Sequence, residues 1–260
     1  MSTLFYQFGD DPGANFIELL HRSGLAPDYS RFVDHATVPH ATTCVAVRYG
    51  GGVVMAGDRR ATSGNQISNR TMEKVLQADA MSAVAIAGAA GPAMELVKVF
   101  QLSLEHYEKV EGKLLSLEGK ANLLSNMVRG NLGAAMQGLG VVPIFGGYDT
   151  RRNEGRIWNF DVTGGRYEET EYVATGSGSL HAATVLKMGW RENMDTTAAV
   201  VLVCRALWEA ADLDSATGGP DTRRGIYPVV ADIQSSGWTR VPDAQLRDVF
   251  TAIEAEVNTR

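Results

Sequence analysis

Cysteine is scarce in this chain. Cys44 and Cys204 are the only two, and neither falls in a Cys-x-x-Cys or Cys-His spacing of the kind that holds zinc. A reducing compartment suits such usage. Positive charge is also short: 24 Lys and Arg stand against 30 Asp and Glu, for a net charge of −6. That balance argues against a nucleic-acid-binding surface, which needs clustered cations to neutralise phosphates. The pairs Arg151-Arg152 and Arg223-Arg224 read as solvated loops. No apolar run reaches signal-peptide or membrane length, and Met1 to Asp11 carry acids rather than a basic patch, so a cytoplasmic protein without membrane contact is expected. His21, His35, His40, His106 and His181 show no His-x-x-x-His spacing, and Gly176-Ser177-Gly178-Ser179 lacks the Gly-Lys-Ser/Thr ending of a phosphate loop. Neither a metal nor another cofactor is expected. No fixed-period repeat occurs, which excludes a solenoid.

What the chain does have is 45% hydrophobic residues across 260 positions, ample for a large core. Residues 1–41, with Gly9, Pro12, Gly13, Pro27 and Pro39, read as a leader holding one amphipathic patch around Phe16 to Leu20. The body, 42–260, is patterned differently. Thr43–Tyr49 and Val53–Asp58 flank Gly50-Gly51-Gly52 and read as a hairpin. Ser82–Gly88 suits a buried strand. Helical spacing follows from Pro92 to Glu108 and from Leu117 to Gln137. Strand signals return at Val141–Tyr148, Arg156–Asp161 and Tyr167–Ala174, the last two joined through Thr163-Gly164-Gly165. Helices at Leu180–Met188 and Thr196–Asp212 precede strands at Ile226–Ile233 and Trp238–Val241 and a final helix from Asp243. Strands in blocks and helices in blocks predict an α+β fold, two antiparallel sheets between helix pairs, rather than a doubly wound parallel sheet.

The chemistry centres on His40-Ala41-Thr42-Thr43, where leader gives way to body. A threonine hydroxyl is a poor nucleophile unless a neighbour takes its proton. The threonine's own α-amine can do so once the chain is cut before it. Asp58 and Lys74 supply a carboxylate and an ammonium that a hairpin and a returning strand can bring back to Thr42. By pattern alone, Thr42 and Thr43 are equally ordinary strand residues, Asp58 and Lys74 a structural ion pair, and Ser177 and Asp214 turn or cap residues.

Several separated segments carry more information together than any does alone: His40-Ala41-Thr42-Thr43, Gly51 to Arg60, Ile86-Ala87-Gly88, Gly176 to Ser179, and Asp214-Ser215-Ala216-Thr217-Gly218-Gly219. In order and spacing they resemble the β subunits of bacterial-type 20S proteasomes, which are N-terminal-nucleophile threonine peptidases. The resemblance covers 41–260 and implies a four-layer αββα sandwich. It implies Thr42 as the nucleophile freed by self-cleavage after Ala41, with removal of 1–41, and Asp58 and Lys74 as its activating partners. Gly88 matches the oxyanion-binding glycine, Ser177 and Asp214 the pair supporting the α-amine, and Thr217 a position where many members have Ser. Ala41 departs from the Gly usual before the nucleophile, and its Cβ restricts the bend needed for scission, so slower processing is expected.

Family pocket positions fall on Ala61, Met72, Leu76, Ile86, Ala90 and Met94, all apolar, which implies cleavage after apolar or aromatic residues. Backbone at Thr62, Gly88 and Ala90 would pair with substrate as an added strand. The implied partners are α-type subunits, further copies of this chain in seven-membered rings stacked as two inner β rings between two α rings, an ATPase ring, and unfolded or tagged polypeptides. Two rivals remain at this stage: a six-membered-ring ATP-dependent peptidase of the same fold, which also begins Thr-Thr, and a non-catalytic ring subunit.

Overall fold

The computed structural model describes residues 12–25 and 42–257. Ala41, His40 and most of the leader lie outside the described residues. The leader's amphipathic patch is helix α1 (Phe16–Arg22), capped by the Asn15 side chain, which accepts from the N–H of Glu18. Strand β1 (Thr43–Tyr49) turns into β2 (Gly52–Gly57), as the Gly-rich turn predicts. A small hairpin follows, β3 (Ala61–Ser63) and β4 (Gln66–Asn69), then β5 (Val75–Asp79) and β6 (Ser82–Gly88). Helices α2 (Ala90–Glu111) and α3 (Leu117–Gly130) lead through the short turn α4 (Leu132–Ala134) to β7 (Val141–Asp149), β8 (Glu154–Phe160), β9 (Arg166–Glu169) and β10 (Tyr172–Gly176). Helices α5 (Ser179–Gly189) and α6 (Thr196–Leu213), strands β11 (Val229–Gln234) and β12 (Gly237–Arg240), and α7 (Asp243–Val257) complete the chain.

Strands β3 and β4 pair as a separate two-stranded sheet, and the other ten strands form two five-stranded antiparallel sheets, ordered β10-β1-β2-β11-β12 and β5-β6-β7-β8-β9. Side-chain alternation explains why their strands are apolar almost throughout. On β1 and β2, Cys44, Ala46, Val53 and Met55 meet Ala83, Ala85, Ile144 and Ile157 of the other sheet. Their neighbours Val45, Val47, Val54 and Ala56 face α5, α6 and α7 through Leu186, Val203, Leu207 and Phe250. The outer face of the second sheet, with Ile86, Phe145 and Trp158, packs on Leu96 and Phe100 of α2 and Leu124 and Val128 of α3. Four layers, helix, sheet, sheet, helix, result.

Three boundaries differ from the sequence reading. The helix expected over Leu117–Gln137 ends at Asn131, whose backbone φ and ψ of −86° and 4° leave the helical region, and the chain crosses to β7 through short turns ending near Gly138 at φ 87°. The strand expected over Tyr167–Ala174 is two strands in different sheets, broken at Thr170-Glu171, where the chain crosses from the β8 edge to the β1 edge. Strand β11 starts only after Pro228, whose nitrogen has no hydrogen to give the ladder. Strands β3, β4 and β5 have no counterpart in the sequence reading; β4 is fully exposed and β5 alternates weakly.

Phe145 is fully buried, edge-on to Phe100 at 5.9 Å and stacked on Trp158 at 5.7 Å between ring centres. Phe145→Ala is expected to lower the unfolding free energy by about 3 to 5 kcal/mol, because the surrounding rings cannot collapse into the space. Urea unfolding of the isolated subunit measures it; a loss below about 1 kcal/mol would mean that this layer repacks.

Candidate active site

Thr42 sits at the mouth of the sandwich, immediately before β1, and is almost wholly buried. Both neighbouring strands hold this point. From the end of β10, the N–H of Ser177 donates to Thr42 O at 2.9 Å; from the end of β2, the N–H of Asp58 donates to Thr43 O at 3.1 Å. The hairpin register therefore delivers Asp58, and the crossing from β9 to β10 delivers Ser177, to the same strand end.

Asp58 and Lys74 are both sealed from solvent, at 0% side-chain exposure, and Lys74 Nζ donates to Asp58 Oδ1 at 2.5 Å. A buried ion pair survives only when its remaining polar capacity is satisfied. Here it is. Asp58 Oδ1 also accepts the Thr43 N–H at 2.9 Å, while Oδ2 accepts the N–H groups of Arg60 at 2.9 Å and Gly218 at 2.8 Å. Lys74 Nζ donates as well to the Arg60 carbonyl at 2.6 Å, and the Arg60 guanidinium reaches the Ser215 carbonyl at 2.9 Å. Lys74 stands just ahead of β5, where the chain leaves the small β3–β4 hairpin and enters the second sheet.

A second group lies on the helix side. Asp214 terminates α6, and its Oδ2 accepts the hydroxyls of Ser177 at 2.5 Å and Thr217 at 2.6 Å. Burial would raise this carboxyl, but those two hydroxyls, the Ala216 N–H and the nearby His181 outweigh it and hold the group below its usual value. The Thr217 and Thr43 hydroxyl oxygens are 2.5 Å apart, and the Gly178 N–H donates to Thr43 Oγ1 at 3.0 Å. Thr43, Gly178 and Arg60 are thus parts of the site that the sequence reading did not single out. Adjacency to the Thr42, Ser177 and Asp58 motifs was the available signal.

Gly88 closes β6 with φ +107°, and a Cβ there would lie 2.1 Å from the Gly140 carbonyl oxygen, so no other residue fits. Gly176 is as constrained: φ is +97°, and a Cβ would lie 1.8 Å from Thr42 O. Among the expected pocket residues, Met72, Leu76 and Met94 pack, half-buried, against the cluster that contains buried Ile86. Ala61 and Thr62 lie on β3 and Ala90 opens α2, outside that cluster.

A family profile described as "Proteasome subunit" matches residues 38–222. The chain belongs to the proteasome subunit family. It is 56% identical over 252 residues to a protein of Acidimicrobium ferrooxidans named "Proteasome subunit beta", covering 96% of this chain and 92% of that one. A protein of the same name from Streptomyces griseus subsp. griseus is 57% identical over 215 residues, covering 83% of this chain and 76% of the relative. Identity at this level over most of the length places the chain with the bacterial-type proteasome β subunits, and its αββα sandwich is the one the resemblance implied. No helix among the described residues of this β subunit is long and apolar enough to cross a membrane.

Cys44 lies two residues from Thr42 yet faces the gap between the sheets, where its thiol points to the Ile86 carbonyl. Burial pushes this thiol up to about 12, and burial does the same to Cys204. At pH 8 the thiolate fraction is then on the order of 10⁻⁴. Iodoacetamide at pH 8 is expected to leave both thiols of the native β subunit unmodified and to label both after unfolding, as read by mass spectrometry.

Proposed function

We propose that this β subunit, a peptidase of the proteasome family, is a threonine-type endopeptidase whose nucleophile is Thr42, generated when the chain cleaves itself between Ala41 and Thr42. The observation that carries the reading is the sealed Asp58–Lys74 pair, hydrogen-bonded to the N–H of Thr43 one peptide away from Thr42. After scission the Thr42 α-amine takes the proton of the Thr42 hydroxyl as the oxygen attacks a substrate carbonyl. The Gly88 N–H, on a backbone that only glycine can adopt, receives the developing oxyanion. The amine then passes the proton to the leaving nitrogen, an ester remains on Thr42, and water admitted to the site hydrolyses it. Ser177 and Asp214 support the amine, and Thr217 supplies a further hydroxyl to Asp214.

The surrounding surface supports the substrate reading. Met72, Leu76 and Met94, half-buried against the cluster that contains Ile86, support an apolar side pocket for the substrate. Assembly with other subunits into a proteasome core follows from the family. The finer arrangement proposed is seven-membered β rings between α-type rings in the cytoplasm, fed with unfolded or tagged chains by an ATPase ring.

Two measurements test the reading. Mass spectrometry of active particles is expected to find a subunit beginning at Thr42, and Thr42→Ala particles are expected to assemble, keep residues 1–41 and hydrolyse no peptide. An intact leader in active particles, or undiminished turnover by Thr42→Ala, overturns it. A fluorogenic peptide panel is expected to show fastest cleavage after apolar or aromatic residues; fastest cleavage after Asp or Glu rejects the pocket assignment.

A further inference from the structure

We infer that Thr43 is a positioning residue that ties the two halves of the site together, its N–H held by Asp58 and its hydroxyl opening a one-way row of hydrogen bonds that ends on Asp214. The inference rests on the proposed threonine mechanism and deepens it. Thr43 is wholly buried, and alternation along β1 turns it toward the helices, with Val45, whereas the preceding residue shares the parity of Cys44 and Ala46.

The direction of the row follows from donor counting, since each hydroxyl has one hydrogen to give. The ionised Asp214 carboxylate can only accept, so Ser177 and Thr217 must each direct their hydrogen to Oδ2. Thr217 then has no hydrogen left for Thr43, and the 2.5 Å contact between those oxygens requires Thr43 to be the donor. Thr43 in turn accepts the Gly178 N–H. The row runs Gly178 N–H, Thr43, Thr217, Asp214, with Ser177 arriving at the same carboxylate oxygen from the other side.

This polarity matters for the base. With its hydrogen committed to Asp214, Ser177 Oγ, 3.4 Å from the Thr42 carbonyl oxygen, can offer the α-amine of Thr42 only lone pairs. It therefore receives an amine N–H and leaves the amine's own lone pair for the Thr42 hydroxyl. A Ser177 free to donate would occupy that lone pair and remove the base. Losing the Thr43 hydroxyl takes the donor from Thr217 and weakens its hold on Asp214. Asp214 then protonates more readily, Ser177 is released, and turnover falls first on the acid side. The other titratable and charged groups facing Asp214 are His181 on α5, Arg60 reaching Ser215, and the Asp58–Lys74 pair behind Gly218. All are present in parent and variants alike.

The test uses full-length chains assembled with their ring partners, with mature sites counted by a threonine-directed electrophile. Thr43→Val is expected to lower kcat per labelled site by about tenfold or more, to leave KM within about twofold, and to move the acid limb of the kcat profile upward. Thr43→Ser, which restores the hydroxyl, is expected to recover most of the loss. Thr217→Val is expected to give the same upward shift, and the double variant to be no worse than the worse single one, as for members of one row. An unshifted acid limb in Thr43→Val, additive losses in the double variant, or a Thr43→Ser as slow as Thr43→Val overturns the inference. Should Thr43→Val fail to assemble, an unshifted limb in Thr217→Val does so alone. Thr42→Ala separates the two levels: full activity there sinks the threonine mechanism, whereas an inactive Thr42→Ala beside an unaltered Thr43→Val sinks only the role of Thr43.

Discussion

A carboxylate and an ammonium closed off from water hold this site in place. Removing either partner of such a pair leaves an uncompensated buried charge, at a cost of about 3 to 5 kcal/mol. What makes the pair tolerable is the number of chain segments that converge on it: β1 through Thr43, the end of β2 through Asp58 and Arg60, the start of β5 through Lys74, and the loop after α6 through Gly218. Each contributes a polar group that would otherwise be lost at the end of a strand or a helix. The pair is thus satisfied by the ends of the elements, and the elements are fixed in relation to one another by the pair.

The sandwich supplies the second constraint. Because β1 is buried on both faces, its alternating residues are divided between two dry layers, one between the sheets and one beneath the helices. Two adjacent threonines at the strand's entrance therefore meet different surroundings. Thr43 reaches Gly178 at the start of α5 and Thr217 beyond the end of α6, while Asp58 and Lys74 close the strand end. A surface hairpin carrying the same Thr-Thr pair would keep one of them in water, and neither network could form.

Much of this was legible in the sequence, and the exceptions have physical reasons. The β1–β2 hairpin announced itself through apolar runs on either side of three glycines, and the β8–β9 turn through Thr163-Gly164-Gly165, whose N–H groups at Thr163 and Gly165 bind the Asp161 side chain. Strand β5 was not read because only Val75, Leu76 and Ala78 in it are apolar, and what matters about it is the lysine just before it. The break between β9 and β10 was hidden because Tyr172, Val173 and Ala174 continue a strand-like pattern while pairing with a different sheet. Asp58 and Lys74 could be proposed from residue type; Ser177, Asp214, Thr217 and Gly88 needed the family resemblance, since a serine, an aspartate and a glycine in loops have many commoner uses. The contacts of Thr43 carry no signature in the sequence, because they depend on which face of β1 it takes and on hydroxyls that only the fold brings together.

The two carboxylates of the site are of one residue type, yet their surroundings give them different work. Asp58 accepts four hydrogens, from Thr43, Lys74, Arg60 and Gly218, which fills the lone-pair sites of a carboxylate. It has no room for a fifth and cannot take a proton from a nearby hydroxyl without breaking the contacts that keep it buried. Asp214, half-exposed, is held charged by two hydroxyls that it forces to point toward it. One carboxylate is saturated and the other is an organiser of hydroxyls, so neither is suited to be the base for Thr42. In the proposed mechanism the base is instead the primary amine of Thr42, which a cut before that residue would create.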